Sequence, residues 1–453
     1  MCVDFDLVVI GAGPGGSAVA TAAAEAGLRV AVVERELVGG ECAFWACVPS
    51  KVLLRAEKPF VDATTVPGSV PGRLDFAAAA DWRTRMVDGY DDAGHAENLG
   101  KAGVTVVRGD ATLLGRGVVR VGERELRARD VVVANGSTEM IPPIDGLCDG
   151  SFWTPRDATA ATAIPRSLIV IGGGAVGVEM SQAFARFGTA VTLLEAGPEL
   201  LGAEDPDAGR LMRTSLEAAG IVVRTAARVE RVAYPSEDEV AVTASGSDYR
   251  ADVLLVATGR KLLGDALGLD RFGVTVEQGR IRVDESCRAA PNIYAVGDVT
   301  GEATFTHVAK YQGRIVAAVL AGRASRARYD CVPRCVYTQP EFAATGATPA
   351  EARERGIDVV VATVAGDEIV RPVLYADPAV TATVRLIGDR AKRTLVGGWI
   401  VGPMASEMIA FVSSAIRMAA TYDALLDVIQ PYPTFSEAFY VALDRLGRAA
   451  AAA

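Results

Sequence analysis

The strongest constraint on the fold is a glycine-rich unit that occurs twice. The apolar run Leu7–Ile10 leads into Gly11-Ala12-Gly13-Pro14-Gly15-Gly16. A small-residue helix over Ala18–Ala26 follows, broken at Gly27, and then a second apolar run, Val30–Val33, which ends at Glu34. About 160 residues on, Leu168–Ile171 leads into Gly172-Gly173-Gly174-Ala175-Val176-Gly177. A helix to about Phe187 and the run Val191–Leu194, ending at Glu195, complete the copy. Strand, glycine turn, helix and strand in this order start a parallel α/β sheet.

Both turns fit G-x-G-x-x-G. The first glycine permits the tight turn, the second lets the backbone approach a pyrophosphate, and the third allows close helix–strand packing. The anion sits on the positive end of the following helix, and the acid closing the second strand accepts ribose hydroxyls. Gly11, Gly13, Gly16 and Glu34 therefore form one expected dinucleotide site, and Gly172, Gly174, Gly177 and Glu195 a second. A carboxylate welcomes a 2′-hydroxyl and repels a 2′-phosphate, and no Arg stands in the ten residues after Glu195. The second site is expected to favour NADH over NADPH. The plain alternative at either place is a glycine turn that binds nothing, and the strand, helix and acid in place weigh against it.

A chain of 453 residues exceeds one simple core, and half of it is apolar. The net charge of -10, with no dense basic cluster, argues against a nucleic-acid partner. No apolar run reaches membrane-spanning length, and the start lacks the pattern of a signal peptide, so no membrane association is expected and a cytoplasmic location follows by default. Seven irregularly spaced cysteines do not suggest an extracellular disulfide framework.

Further along, Trp82–Leu99 reads as a helix, and Val104–Val107 and Val131–Val133 as strands. Pro142-Pro143 and Gly146 mark a junction. Asp252–Val256 and Ile293–Val296 read as strands, and His307–Leu320 as a helix. From about Tyr329 the runs Val359–Val364, Val380–Leu386 and Thr394–Ile400 suggest an antiparallel sheet. Helices follow at Ala405–Ala420 and Ser436–Leu446, and then a frayed tail, Ala449–Ala453. The expected class is α/β, with two Rossmann-like dinucleotide-binding domains and a C-terminal α+β domain.

The most informative stretch runs from Gly39-Gly40-Glu41-Cys42 through Cys47-Val48-Pro49-Ser50-Lys51. Residues five apart on a regular helix rise about 7.5 Å. A disulfide needs Cα atoms about 4.4–6.8 Å apart, so this C-x4-C pair can close only across a distorted turn. Such a turn beside a helix start can also lower a thiol pKa. The alternative is two buried free thiols.

This stretch resembles the redox-disulfide signature of the pyridine nucleotide–disulfide oxidoreductases, the family of dihydrolipoamide dehydrogenase, glutathione reductase and mercuric reductase. The resemblance covers essentially the whole chain. Ala134-Asn135-Gly136-Ser137 is similar to the family's first A-T-G element, and Ala257-Thr258-Gly259-Arg260 to the second. Ile293 to Asp298 is similar to its second FAD motif.

The resemblance implies FAD in the first site, with Gly40, Lys51, Gly136, Gly259, Arg260, Gly297, Asp298 and His307 joining the cofactor contacts. Asp298 would bind the ribityl chain. Cys47 becomes the flavin-facing thiol, Cys42 the thiol that meets substrate, and Lys51 the partner of Glu179. The implied domains are 1–147 and 265–328 for FAD, 148–264 for NAD(P), and 329–453 for dimerisation, in a homodimer.

The chain departs from the family where His-Pro-Thr-x-x-Glu supplies the acid–base histidine. Here Tyr432 precedes Pro433-Thr434, and Glu437 remains. Tyr432, between two prolines, is expected to be held extended. Thr434 to Glu437 also fits a helix capping box. A tyrosine near pKa 10 is about 0.1% ionised at pH 7, and general acid–base help is worth about 10²–10⁴ in rate.

His307 reads as structural or flavin-adjacent and His95 as solvated, so neither reads as the substitute base. Mercuric reductases have a similar Pro-Tyr element but also a C-terminal cysteine pair, which this chain lacks, and this argues against a mercuric reductase proper. No metal site is expected: Cys331 and Cys335, spaced C-x3-C, fall in an expected strand. Phe44, Trp45 and Ala46 replace the small polar residues usual between the cysteines, either reshaping the pocket or packing against the flavin domain.

The expected function is NADH-dependent, FAD-dependent disulfide oxidoreduction of a small thiol or disulfide, in either direction. The alternatives are a diaphorase acting on quinones or other small molecules, and a non-enzymatic flavoprotein.

Overall fold

The computed structural model describes residues 3–65, 68, 70, 72–374 and 382–451. The chain forms two compact units, each assembled from separate stretches. The first comprises Met1–Pro49, Trp82–Met140 and Gly259–Tyr329, and the second Ser50–Asp81, Ile141–Thr258 and Asp330–Ala453.

The first unit is built on a largely parallel sheet. Its strand order is Arg288–Ala290, Ile293–Ala295, Arg124–Val133, Phe5–Ile10, Val30–Glu34, Val104–Arg108. The central strand pairs in parallel on both sides, Val9 facing Val32 on one and Val132 on the other. Leu7, Val8 and Val9 are fully buried because both faces of this strand are covered. Two antiparallel strands, Ala111–Gly115 and Val118–Val121, extend from Arg124–Val133. The helix Pro14–Glu25 packs closely on Thr306–Leu320, where a Cβ on Gly313 would lie 2.9 Å from the Cβ of Ala18.

The expected helix over Trp82–Leu99 is interrupted. Helices Phe76–Met86 and Ala93–Lys101 flank a turn, Asp88–Tyr90. Asp88, Gly89 and Tyr90 take φ of 49°, 61° and 65°, which a right-handed helix cannot contain.

The second unit has a four-stranded parallel sheet ordered Val222–Arg224, Ala190–Leu194, Ser167–Ile171, Val253–Val256. Beside it lies an antiparallel meander, Val229–Ser236, Glu239–Ala244 and Ser247–Ala251. A five-stranded antiparallel sheet follows, ordered Arg334–Val336, Glu341–Gly346, Thr394–Gly402, Thr383–Asp389, Val359–Val364. One apolar core joins Leu168, Val170, Val178 and Phe184 with Leu53, Phe76, Phe342 and Trp399. A second holds Ala405–Met418 and Glu437–Ala451 against the five-stranded sheet.

The sheet strand expected at Val380–Leu386 runs Thr383–Asp389, and residues 380 and 381 lie outside the described residues. The tail expected to fray is helical to Ala451, while 452 and 453 lie outside the described residues. The capping box does not form. The Thr434 hydroxyl donates to the Pro431 carbonyl at 2.8 Å, and a Glu437 carboxylate oxygen accepts from Val370 N at 3.4 Å. No helix among the described residues is long and apolar enough to cross a membrane.

Candidate functional site

In the first unit the central strand delivers Gly11 at φ 103°, where an added Cβ would lie 2.4 Å from the Ala134 carbonyl oxygen. A Cβ on Gly16 would lie 1.9 Å from the Gly11 carbonyl oxygen, so the helix meets the strand at a distance only glycine allows. Gly13 differs: no described atom comes within 4 Å of its Cβ position. It caps the helix Pro14–Glu25 in extended geometry (φ -68°, ψ -176°) with no side-chain cap among the described residues. The helix start thus has no side-chain cap among the described residues and an open Gly13, which fits a pyrophosphate.

Buried Glu34 accepts from Ala12 N at 2.7 Å and Glu36 N at 2.8 Å. Gly40 packs against this turn, and its Cβ would lie 2.8 Å from the Gly13 Cα.

The two later FAD elements meet beside it. The Ser137 hydroxyl donates to Asp298 Oδ2 at 2.5 Å and accepts from Arg260 Nε at 2.6 Å. Arg260 also lies 3.8 Å from Asp298 and 3.9 Å from Glu41. Gly297 N donates to the fully buried Gln312 at 2.6 Å. Gly136 and Gly259 sit at φ 72° and 122° with open Cβ positions. The Oδ1 of Asn135 is buried with no hydrogen-bond partner among the described residues, a polar atom suited to a ligand donor. On these observations the residues fit FAD.

The cysteines lie on either side of a helix break. The helix Gly40–Phe44 ends at Trp45 (φ -124°, ψ -17°), and a new helix, Cys47–Thr65, starts two residues later. Trp45 N and Ala46 N both donate to Glu41 O, at 2.8 and 2.7 Å. This is the distortion the spacing required, and it brings the half-buried Cys42 and Cys47 into a thiol–thiol hydrogen bond. That bond, and then burial, push the Cys42 thiol above its ordinary range, against the Thr306 hydroxyl and the Lys310 charge. Cys47 Sγ lies 3.3 Å from Thr306 Oγ1.

The aromatic residues between the cysteines pack. Phe44 is buried with its ring edge to His95, centroids 5.4 Å apart, and Trp45 stacks on Tyr90 at 4.5 Å. His95 is therefore half-buried rather than solvated. His307 is exposed on the first turn of Thr306–Leu320, with its ring stacked on Phe305.

In the second unit the glycine turn recurs with nearly the same distances. A Cβ on Gly172 would lie 2.4 Å from the Ala257 carbonyl oxygen, and one on Gly177 1.8 Å from the Gly172 carbonyl oxygen. Gly174 is the open, extended cap of Ala175–Arg186. Glu195 accepts from Gly173 N at 2.6 Å and Gly197 N at 2.5 Å. These residues fit a second dinucleotide.

Lys51 Nζ meets Glu179 Oε2 at 2.7 Å, and the other oxygen of the buried Glu179 accepts from Tyr337 N at 3.0 Å. The Tyr337 ring lies under the Lys51 ammonium, 4.8 Å from its centroid. Cys335 is close enough to feel both charges, and burial pushes its thiol up to about 11. Tyr432 is 68% exposed, and no hydrogen bond joins it to the half-buried Glu437 among the described residues. No group of three or more His, Cys, Asp or Glu suited to a metal ion occurs among the described residues.

The sequence did not single out Thr306, Gln312 or Tyr337. Thr306 and Tyr337 meet Cys47 and Glu179 across 259 and 158 residues, while Gln312 meets Gly297 across 15.

Residues 5–313 match the family model described as pyridine nucleotide-disulphide oxidoreductase, and residues 332–443 match its dimerisation domain. The chain is 36% identical to a dihydrolipoyl dehydrogenase of Chlorobaculum tepidum, over 99% of both chains. It is 33% identical to a mercuric reductase of Acidithiobacillus ferrooxidans, over 98% of this chain and 83% of that one. Among solved structures it is similar to the Cu(II) complex of the HOCl-induced flavoprotein disulfide reductase RclA from Escherichia coli. There the TM-score is 0.86 at 28% identity, covering 98% of this chain and all of that one.

Proposed function

We propose, from the premise that this chain belongs to the pyridine nucleotide-disulphide oxidoreductase family, that it uses NADH and the Cys42–Cys47 pair to interconvert a small disulfide and its thiols. It is an FAD-dependent enzyme of that family. Bound FAD supplies a two-electron relay between nicotinamide and sulfur.

What carries the reading is the thiol–thiol hydrogen bond across the helix break, in the unit that also holds the first open glycine cap. Cys42 is the thiol we assign to substrate and Cys47 the one we assign to the flavin side, with Thr306 steadying the latter. Gly13, Glu34, Gly40, Ser137, Arg260 and Asp298 are proposed to hold FAD. Gly174 and Glu195 are proposed to hold NADH, since the Glu195 carboxylate disfavours a 2′-phosphate. Lys51 and Glu179 form a charge pair whose geometry Tyr337 fixes. The division 1–147, 148–264, 265–328 and 329–453 is our reading of the domains. The dimerisation-domain match supports a homodimer.

A second reading is reduction of a soft metal ion held by the two sulfurs. The exposed Tyr432, standing where the family pattern has histidine, favours it. A disulfide substrate needs a proton delivered to each leaving thiol, whereas a metal ion accepts electrons with no such demand. Two relatives bear on it: one is a mercuric reductase and one was solved with Cu(II).

The test is NADH oxidation with lipoamide, glutathione disulfide, mycothiol disulfide, quinones, Hg(II) and Cu(II), by the wild type and Cys42→Ser. The variant should lose disulfide turnover at least 100-fold yet keep NADH-driven flavin reduction. Unchanged disulfide turnover overturns the thiol mechanism. Turnover of metal ions alone, abolished in Cys42→Ser, selects the second reading. Quinone reduction alone, indifferent to Cys42, selects a diaphorase.

A further inference from the structure

The dithiol pair does not hold its own geometry. Cys42 and Cys47 reach each other only because the chain leaves helical geometry at Trp45 and re-enters it at Cys47. Two neighbouring side chains grip that joint. Phe44 is buried against the edge of His95, and Gly39 is so close that its Cβ would lie 2.9 Å from the Phe44 ring. Trp45 lies face to face with Tyr90, centroids 4.5 Å apart and planes 25° apart.

Tyr90 is presented by the turn Asp88–Tyr90, all of whose residues sit at φ between 49° and 65°. Asp88 and Gly89 enter that backbone readily, but a bulky residue such as Tyr90 adopts it only where the surroundings enforce it. The Tyr90 hydroxyl is buried with no hydrogen-bond partner among the described residues, so the ring is what this residue contributes.

We infer that the Trp45–Tyr90 stack is a latch that positions Cys42 and Cys47 and thereby sets how readily they close into a disulfide. The inference rests on the proposed redox role of the pair. Without the stack, the segment between the cysteines samples more conformations, and the sulfurs spend less time at bonding distance. Closure forms one S–S bond and releases two protons and two electrons. When glutathione disulfide is the oxidant, it takes the electrons and becomes two glutathione thiols.

The experiment equilibrates the holoenzyme with glutathione redox buffers and reads the Cys42–Cys47 state by alkylation and mass spectrometry. Tyr90→Ala and Trp45→Ala should each lower the closure constant about tenfold, or ~30 mV for a two-electron couple. The double variant should fall no further than either single one. Tyr90→Phe and Trp45→Phe, which keep a ring, should stay within twofold of the wild type.

Flavin content and melting temperature are measured alongside. If Tyr90→Ala does not fold, Tyr90→Leu, which keeps bulk but not the aromatic face, gives the reading. A closure constant unchanged within twofold, or a Tyr90→Phe shift equal to that of Tyr90→Ala, overturns the latch. If the wild-type pair never closes in any buffer, the proposed function fails instead.

Discussion

The thiol of Cys42 carries the sharpest residue-scale consequence. Its hydrogen bond to Cys47 and its burial favour the protonated form, and the exposed Tyr432 stands where the family pattern has an imidazole base. Exchange needs the thiolate, whose share rises tenfold per pH unit below the thiol's pKa. Reaction of the reduced enzyme with a disulfide should therefore accelerate with a log-rate slope near +1 between pH 7 and 9, as read by stopped flow. A plateau below pH 7 would mean that another group takes the proton. The closeness of Cys42 and Cys47 was legible from their spacing, and the pairing of Lys51 with Glu179 only through the family resemblance. Thr306 was not, since a threonine opening a helix carries no spacing signal. Glu34 and Glu195 were legible as strand-end acids, but their bonds to the glycine-turn amides appear only in three dimensions.

At the scale of elements, the glycines of one turn separate into folding and binding roles. A methyl group on Gly16 would sit 1.9 Å from a carbonyl oxygen, whereas one on Gly13 would meet no described atom within 4 Å. Gly16→Ala should destabilise the protein by about 1–3 kcal/mol or more, as overpacking does, lowering the denaturation midpoint. Gly13→Ala should keep that midpoint in the apoprotein and lose FAD, measured as the flavin-to-protein absorbance ratio. Equal effects on stability would contradict this division. Apolar runs bounded by glycine marked the strands well, because a doubly covered strand leaves a continuous hydrophobic signature. The break within 82–99 escaped, although Asp88-Gly89 is a turn pair at ease in left-handed backbone; only Tyr90 is held there by its packing.

For the whole molecule, the linear order hides that each unit gathers distant stretches, so the division inside the helix Cys47–Thr65 could not be read from composition. The second unit leaves Val428, Ile429 and Tyr440 exposed, with Ile429 at 95%, within the stretch matched to a dimerisation domain. Ile429→Glu should weaken self-association at least 30-fold, about 2 kcal/mol, in sedimentation experiments. An unchanged dimer would place the interface elsewhere. The recurrence of the glycine turn has a last consequence. Backbone spacings at the two cradles agree within 0.1 Å at the Gly16 and Gly177 contacts, so the fingerprints themselves cannot tell a flavin nucleotide from a nicotinamide one. Discrimination must fall to the segments just beyond the second strand. There Gly40 leans on Gly13 in one copy, while Leu200 and Glu195 crowd Gly173 in the other. Exchanging those short segments, not the glycines, is how cofactor choice would be rewritten.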